Sequence, residues 1–128
     1  MVALYLSSLE NKLFSGSFDK KLIIWSIDDS TNRYIEKDRI DDINNALWAV
    51  EYNQAHKKLF YGRKDNSIIC QNFPSENGSN ADTSVLLGHT NTVRTLFYCE
   101  HSETLFSGGH DFTIRIWKIL NFGNFETI

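Results

Sequence analysis

The side chains in this 128-residue chain with the most chemistry to offer are four histidines (His56, His89, His101, His110), two cysteines (Cys70, Cys99) and a regular series of aspartates (Asp19, Asp65, Asp111). Serine, histidine and aspartate together can make an activated nucleophile, a thiol with an imidazole can do the same, and clustered His, Cys and Asp can hold a metal. The spacing argues against each of these. No zinc-ligand spacing, glycine-rich phosphate loop or strand–Ser–helix elbow is present. Cys99-Glu100-His101 brings a thiol and an imidazole together in sequence only, and a working pair is not expected there. His56 and His101 fall in polar turns and are expected to be solvated. Asp28, Asp29, Asp38, Asp41 and Asp42 make an acidic neighbourhood, but their spacing fits no calcium loop and implies a solvated edge. No metal and no cofactor are expected.

The aspartates matter instead for their period. Asp19, Asp65 and Asp111 are 46 residues apart, and the same step relates Gly16, Gly62 and Gly108. It also relates Leu13, Leu59 and Leu105, and Phe14, Phe60 and Phe106, without a gap. Asn11 to Trp25 (NKLFSGSFDKKLIIW) and Glu103 to Trp117 (ETLFSGGHDFTIRIW) share seven of 15 positions. Trp25 and Trp117 have Gln71 between them in the same register. A unique active site does not recur with a fold period, whereas a structural unit does.

The elements that must position these residues read as strands. Met1–Leu6, Leu47–Tyr52 and Thr92–Tyr98 are short, apolar and rich in β-formers. Lys12–Ser17, Lys58–Gly62 and Thr104–Gly108 follow after polar turns. Lys21–Ser26, Ser67–Phe73 and Thr113–Lys118 come third, and Tyr34–Ile40, Thr83–Leu87 and Phe122–Ile128 suggest weaker fourth strands. Each repeated Asp sits between second and third strands. Helical apolar spacing is sustained nowhere over two or three turns.

Four strands in a unit of 46 residues is the pattern of a propeller blade. With Gly88-His89, Asp111 and Ile116-Trp117 in its third copy, the sequence resembles the WD-repeat family, and the resemblance runs over essentially the whole chain. It departs from the family pattern at Ser26 and Lys118, which stand where an Asp usually follows the Trp. The resemblance implies an all-β fold of three four-stranded antiparallel units (about 1–40, 47–87 and 92–128) in an incomplete ring. It also implies a hydrogen-bonded row of His89, Ser107, Asp111 and Trp117. That row has the residue types of a nucleophile triad, but its recurrence assigns it to the fold. Copy two carries Asp42-Ile43 in place of Gly-His and Gln71 in place of Trp, so Asp65 is expected to lack the row and the second unit to be the weakest.

By position, the resemblance places partner-binding residues at the starts of the first strands, namely Val2, Trp48 and Arg94, and beside the repeated Asp, namely Phe18, Lys64 and His110. Local packing of Phe18 and Trp48 between units is the competing reading. The expected function is a non-catalytic scaffold that presents a face to a protein or peptide partner. A phosphoinositide- or RNA-binding propeller is the alternative, but it has only Arg63-Lys64 and Lys20-Lys21 to draw on. The net charge of −3 argues against general nucleic-acid binding. No 18-residue apolar run is present, so no membrane-spanning helix is expected. No secretory signal is read at the N-terminus, and two cysteines make no disulfide framework. An intracellular location, cytoplasmic or nuclear, is therefore expected, and Asn77-Gly78-Ser79 reads as a polar turn rather than a glycosylation acceptor. Self-association to complete the ring is a further expectation.

Overall fold

A computed structural model of the chain describes residues 3–7, 10–40, 45–73, 83–119 and 125–127. Val2, Asp41, Asp42, Ile43 and the Asn77-Gly78-Ser79 segment lie outside the described residues.

Among the described residues, twelve strands form three separate four-stranded antiparallel sheets, each joined in simple sequence order. Unit 1 holds β1 (Ala3–Ser7), β2 (Lys12–Gly16), β3 (Leu22–Asp28) and β4 (Arg33–Ile40). Unit 2 holds β5 (Leu47–Asn53), β6 (Lys58–Arg63), β7 (Ile68–Asn72) and β8 (Thr83–Leu86). Unit 3 holds β9 (Val93–Cys99), β10 (Thr104–Gly109), β11 (Ile114–Ile119) and β12 (Phe125–Thr127). Among the described residues the three sheets do not close into a ring.

The 46-residue step is written into the backbone. Non-glycine residues with positive φ occur in register at Asn11, Lys57 and Glu103 in the first turn of each unit. They recur at Lys20, Asn66 and Phe112 in the second turn. Immediately before each residue of the second set, the repeated Asp fixes the turn. Asp19, Asp65 and Asp111 accept the N–H of Lys21, Ser67 and Thr113 at 3.2, 3.1 and 3.0 Å. A carboxylate that receives the N–H two residues on holds a short turn in one shape.

Alternation along each strand gives every sheet a forward face, toward the next unit, and a rear face, toward the previous one. Ala3, Phe14, Leu22 and Ile24 on the forward face of unit 1 pack against Leu47, Val50, Tyr52 and Leu59 on the rear face of unit 2. One step on, Ala49, Phe60, Ile68 and Cys70 meet Val93, Leu96, Tyr98, Leu105 and Trp117. The core is thus two seams between three sheets. In each seam a glycine receives the residue that opens the next unit. A Cβ on Gly16 would lie 3.1 Å from Leu47 Cβ, and one on Gly62 would lie 2.8 Å from Val93 Cγ1.

Two features of this arrangement stand against the expectation that unit 2 is the weakest. Unit 2 is the middle sheet, covered on both faces, and β5 and β6 are buried along nearly their whole length. It also replaces part of the missing row. Tyr61 stands where the other units have Ser15 and Ser107, and its hydroxyl donates to Gln71 Oε1 at 3.0 Å. A small acceptor beside a large donor has become a large donor beside a smaller acceptor.

Candidate interaction surface and the buried row

The row in unit 3 is anchored on and between three strands. His89 precedes β9, Ser107 lies on β10, Asp111 in the following turn and Trp117 on β11. His89 Nδ1 lies 2.8 Å from Asp111 Oδ2, and His89 Nε2 lies 2.7 Å from Ser107 Oγ. Trp117 Nε1–H donates to Ser107 Oγ at 2.9 Å. An imidazole protonated at Nδ1 satisfies every member: Nδ1–H donates to Asp111, and Nε2 accepts the Ser107 hydroxyl proton. Asp111 also accepts Thr90 N–H at 2.9 Å and Thr113 Oγ1–H at 2.7 Å. The Thr113 hydroxyl leads the bonds that hold its carboxyl far below the usual carboxylate range.

Gly88 leaves little space beside this row. A Cβ there would lie 2.9 Å from Arg115 Nη1 and 3.1 Å from Trp117 Cη2. A side chain at this position would crowd the indole that closes the row, which would have to give by a few tenths of an ångström.

Ser107, His89 and Asp111 stand in the order and distances of a nucleophile triad. Access separates the two roles. Ser107 is 1% exposed and its oxygen already receives the Trp117 donor, so an incoming carbonyl cannot reach it. Unit 1 keeps the lower half of the row, with Trp25 Nε1–H donating to Ser15 Oγ at 2.9 Å. Asp65, which lacks the row, is held locally by Arg63 at 3.0 Å and by the Ser67 hydroxyl at 2.5 Å. Cys99 does not pair with the His101 imidazole. The Ser102 side chain is the leading cause that lowers its thiol, and His101 contributes only through the backbone. Burial pushes the Cys70 thiol up to about 12.

A different group of side chains meets at the strand starts. Both β5 and β9 carry a bulge there. Leu47 and Ala49 face Arg63 and Gly62, leaving Trp48 as the extra residue, and Val93 and Thr95 face Gly109 and Gly108, leaving Arg94. A bulge re-aims its extra side chain off the regular face of the sheet. The Trp48 ring meets Phe18 of unit 1 edge-on at 4.5 Å and His110 of unit 3 at 6.2 Å. The Arg94 guanidinium lies 4.2 Å over it. Phe18, Arg94 and His110 are exposed and Trp48 is half-buried. Among the described residues no carboxylate pairs with Arg94, and Trp48 Nε1 has no hydrogen-bond partner. An open groove of about 250 Å³ runs past Trp48 and Arg94 between Leu4 of β1 and Thr95 of β9. Lys64 is exposed and adds no ring contact to the cluster among the described residues.

The sequence placed Phe18, Trp48, Arg94 and His110 by register but could not show that they touch. It missed the bulges, the Tyr61–Gln71 exchange and the carboxylate of Glu51. Reading positions 61 and 71 together against 15 and 25 would have exposed the exchange.

Residues 81–118 match the family model "WD domain, G-beta repeat". The chain is similar to three curated fission-yeast (Schizosaccharomyces pombe) proteins. It is 26% identical to WD repeat-containing protein pop2 over 86% of this chain and 19% of that protein. It is 27% identical to uncharacterized WD repeat-containing protein C126.01c, over 86% of this chain and 30% of that protein. It is 27% identical to WD repeat-containing protein srw1, over 83% of this chain and 18% of that protein. The chain therefore spans less than a third of the length of these relatives. Among solved structures, the WD40 β-propeller domain of Doa1 superposes with a TM-score of 0.67 at 26% identity, covering 85% of this chain and 34% of that one. U3-55K superposes with a TM-score of 0.75 at 18% identity, covering 99% and 38%. Residues 81–118 thus resemble a WD repeat, and the chain has the blade architecture of WD40 β-propellers. Propellers of this kind are generally non-catalytic platforms for protein interaction.

Proposed function

We propose that this chain is a protein-interaction scaffold whose docking surface is the rim formed by Phe18, Trp48, Arg94 and His110. The observation that carries the reading is that all three units contribute to one partly exposed aromatic cluster with a cation held over its central ring. Trp and Arg in such a setting are the residue types that anchor protein interfaces. The edge contact with Phe18 and the cation over the ring pre-orient Trp48, which lowers the ordering cost of binding. Lys64 joins the reading by its register beside the repeated Asp and its exposure. An intracellular setting belongs to the reading and is supported by two free cysteines.

The test is partner capture by the Trp48→Ala/Arg94→Ala protein beside a His101→Ala control, which alters an exposed turn in another part of unit 3. The expected result is loss with the double variant, retention with the control, and unchanged strand circular dichroism in both. Equal retention by the double variant would place the docking surface elsewhere. Binding to RNA or anionic vesicles that disappears with salt would favour the nucleic-acid or phosphoinositide alternative.

A further inference from the structure

We infer that the partner segment taken by this rim is acidic: an Asp or Glu carboxylate pairs with the Arg94 guanidinium, and a large apolar side chain next to it packs against Phe18 and Trp48. The inference rests on the reading of the rim as the docking surface and adds the chemistry of its occupant.

The polar groups that the cluster leaves unmet are donors. The Arg94 guanidinium lies 4.2 Å over the Trp48 ring, and a ring face attracts the cation without filling its fork of N–H groups. Among the described residues no carboxylate pairs with Arg94, and no acceptor reaches Trp48 Nε1. The repeated acids of the same rim are already engaged. Asp111 accepts from His89, Thr90 and Thr113. Asp65 pairs with Arg63 and takes the Ser67 hydroxyl, and Asp19 accepts the Lys21 N–H. Lys64, in register with Phe18 and His110, is exposed and pairs with no carboxylate among the described residues. The rim therefore offers a partner cation and donor, and the complement of that is an anion.

Charge and shape narrow the anion to a carboxylate. The planar guanidinium presents parallel N–H groups that match two oxygens on one carbon. A phosphate carries nearly two charges and is met by clusters of arginine, whereas the aromatic cluster holds one. The setting is apolar on one side: Phe18 is 53% exposed and stands edge-on to the half-buried Trp48 at 4.5 Å. A charge pair beside such a wall loses part of its water and gains strength over one in open solvent. The same two rings give an apolar neighbour of the carboxylate somewhere to lie, and the groove of about 250 Å³ past Trp48 and Arg94 gives it room. The guanidinium is seated over the middle unit, between Phe18 of unit 1 and His110 of unit 3, so the site draws on neither the rear face of unit 1 nor the forward face of unit 3.

The experiment selects from a random heptapeptide library displayed on phage against the purified full chain, then measures synthetic copies of the selected peptides by fluorescence polarisation. Peptides that place Asp or Glu next to an aromatic or aliphatic residue are expected to be enriched. Arg94→Ala is expected to weaken their binding about tenfold or more. Arg94→Lys should recover only part of that loss, because the charge returns without the fork. Changing the peptide's Asp or Glu to Asn or Gln should cost as much as Arg94→Ala, and the two losses should not add, as for partners in one pair. Circular dichroism checks each variant's fold, and Arg94→Gln repeats the comparison should Arg94→Ala misfold. Neutral or basic peptides that need Trp48, by loss on Trp48→Ala, overturn the acidic class and leave the rim as the docking surface. Peptides indifferent to both Trp48→Ala and Arg94→Ala overturn the inference together with the rim reading. An empty selection overturns the inference, and so do acidic peptides that tolerate the loss of Arg94. A phosphoserine peptide that binds far tighter than its Glu counterpart overturns the carboxylate in favour of a phosphate.

Discussion

Ser107 is the residue on which the row in unit 3 turns, because its oxygen serves both His89 Nε2 and Trp117 Nε1–H. Ser107→Ala leaves a buried donor and a buried acceptor without partners, at an expected cost of about 1–3 kcal/mol by urea unfolding. Ser15→Ala should cost less, because Trp25 is only half-buried and water can replace the lost acceptor. Equal losses would mean that burial does not set the worth of this bond. Phe112 presents the opposite case. It is fully exposed and held at φ 63°, where a side chain is strained. Phe112→Gly should raise stability by about 0.5–1 kcal/mol, the relief of strain exceeding the entropy of the added glycine. A lower melting temperature for this variant would show that the ring makes contacts that hold the turn. Asp111, His89 and Trp117 were legible from the repeat and its family resemblance. The strain at Phe112 was not, since only backbone angles reveal it.

At the scale of elements, the seams combine apolar packing with one costly group. Glu51 is buried on β5, accepting Tyr52 N–H at 3.1 Å and Tyr98 N–H at 3.2 Å across the seam. Burial outweighs these two bonds and raises its carboxyl above the ordinary value of 4.5. The folded protein therefore holds this proton to higher pH than the unfolded chain does. Stability contributed by the protonated form is present below 4.5 and is lost as pH rises through the folded value. From neutral pH downward toward that window, the seam between units 2 and 3 should tighten. Glu51→Gln should flatten this part of the stability–pH curve, as read by thermal unfolding at several pH values. An unchanged slope would assign the effect to other groups. Asp111 acts in the reverse sense: its support is present above 3.8 and is lost only in stronger acid. The strands and Asp turns were readable from alternation and period. Glu51 was not, because a charged residue in a β-run looks solvent-facing until the next sheet is laid over it. The bulges at Trp48 and Arg94 stayed hidden for a related reason, since a bulge is a property of two paired strands.

For the whole molecule, the sequence step foretold three sheets and left open how they lean on each other. The seams answer that, and one consequence concerns the order in which the molecule comes apart. Each sheet touches only the sheets before and after it in the described core, so the chain behaves as a short one-dimensional array. In such an array an end unit opens by breaking one boundary, while the middle unit opens only by breaking two. Amide hydrogens on β6 and β7 should therefore exchange slowest, with protection close to that of global unfolding, and those of β2 and β10 should exchange earlier through sub-global openings. Native-state exchange with residue resolution measures this directly.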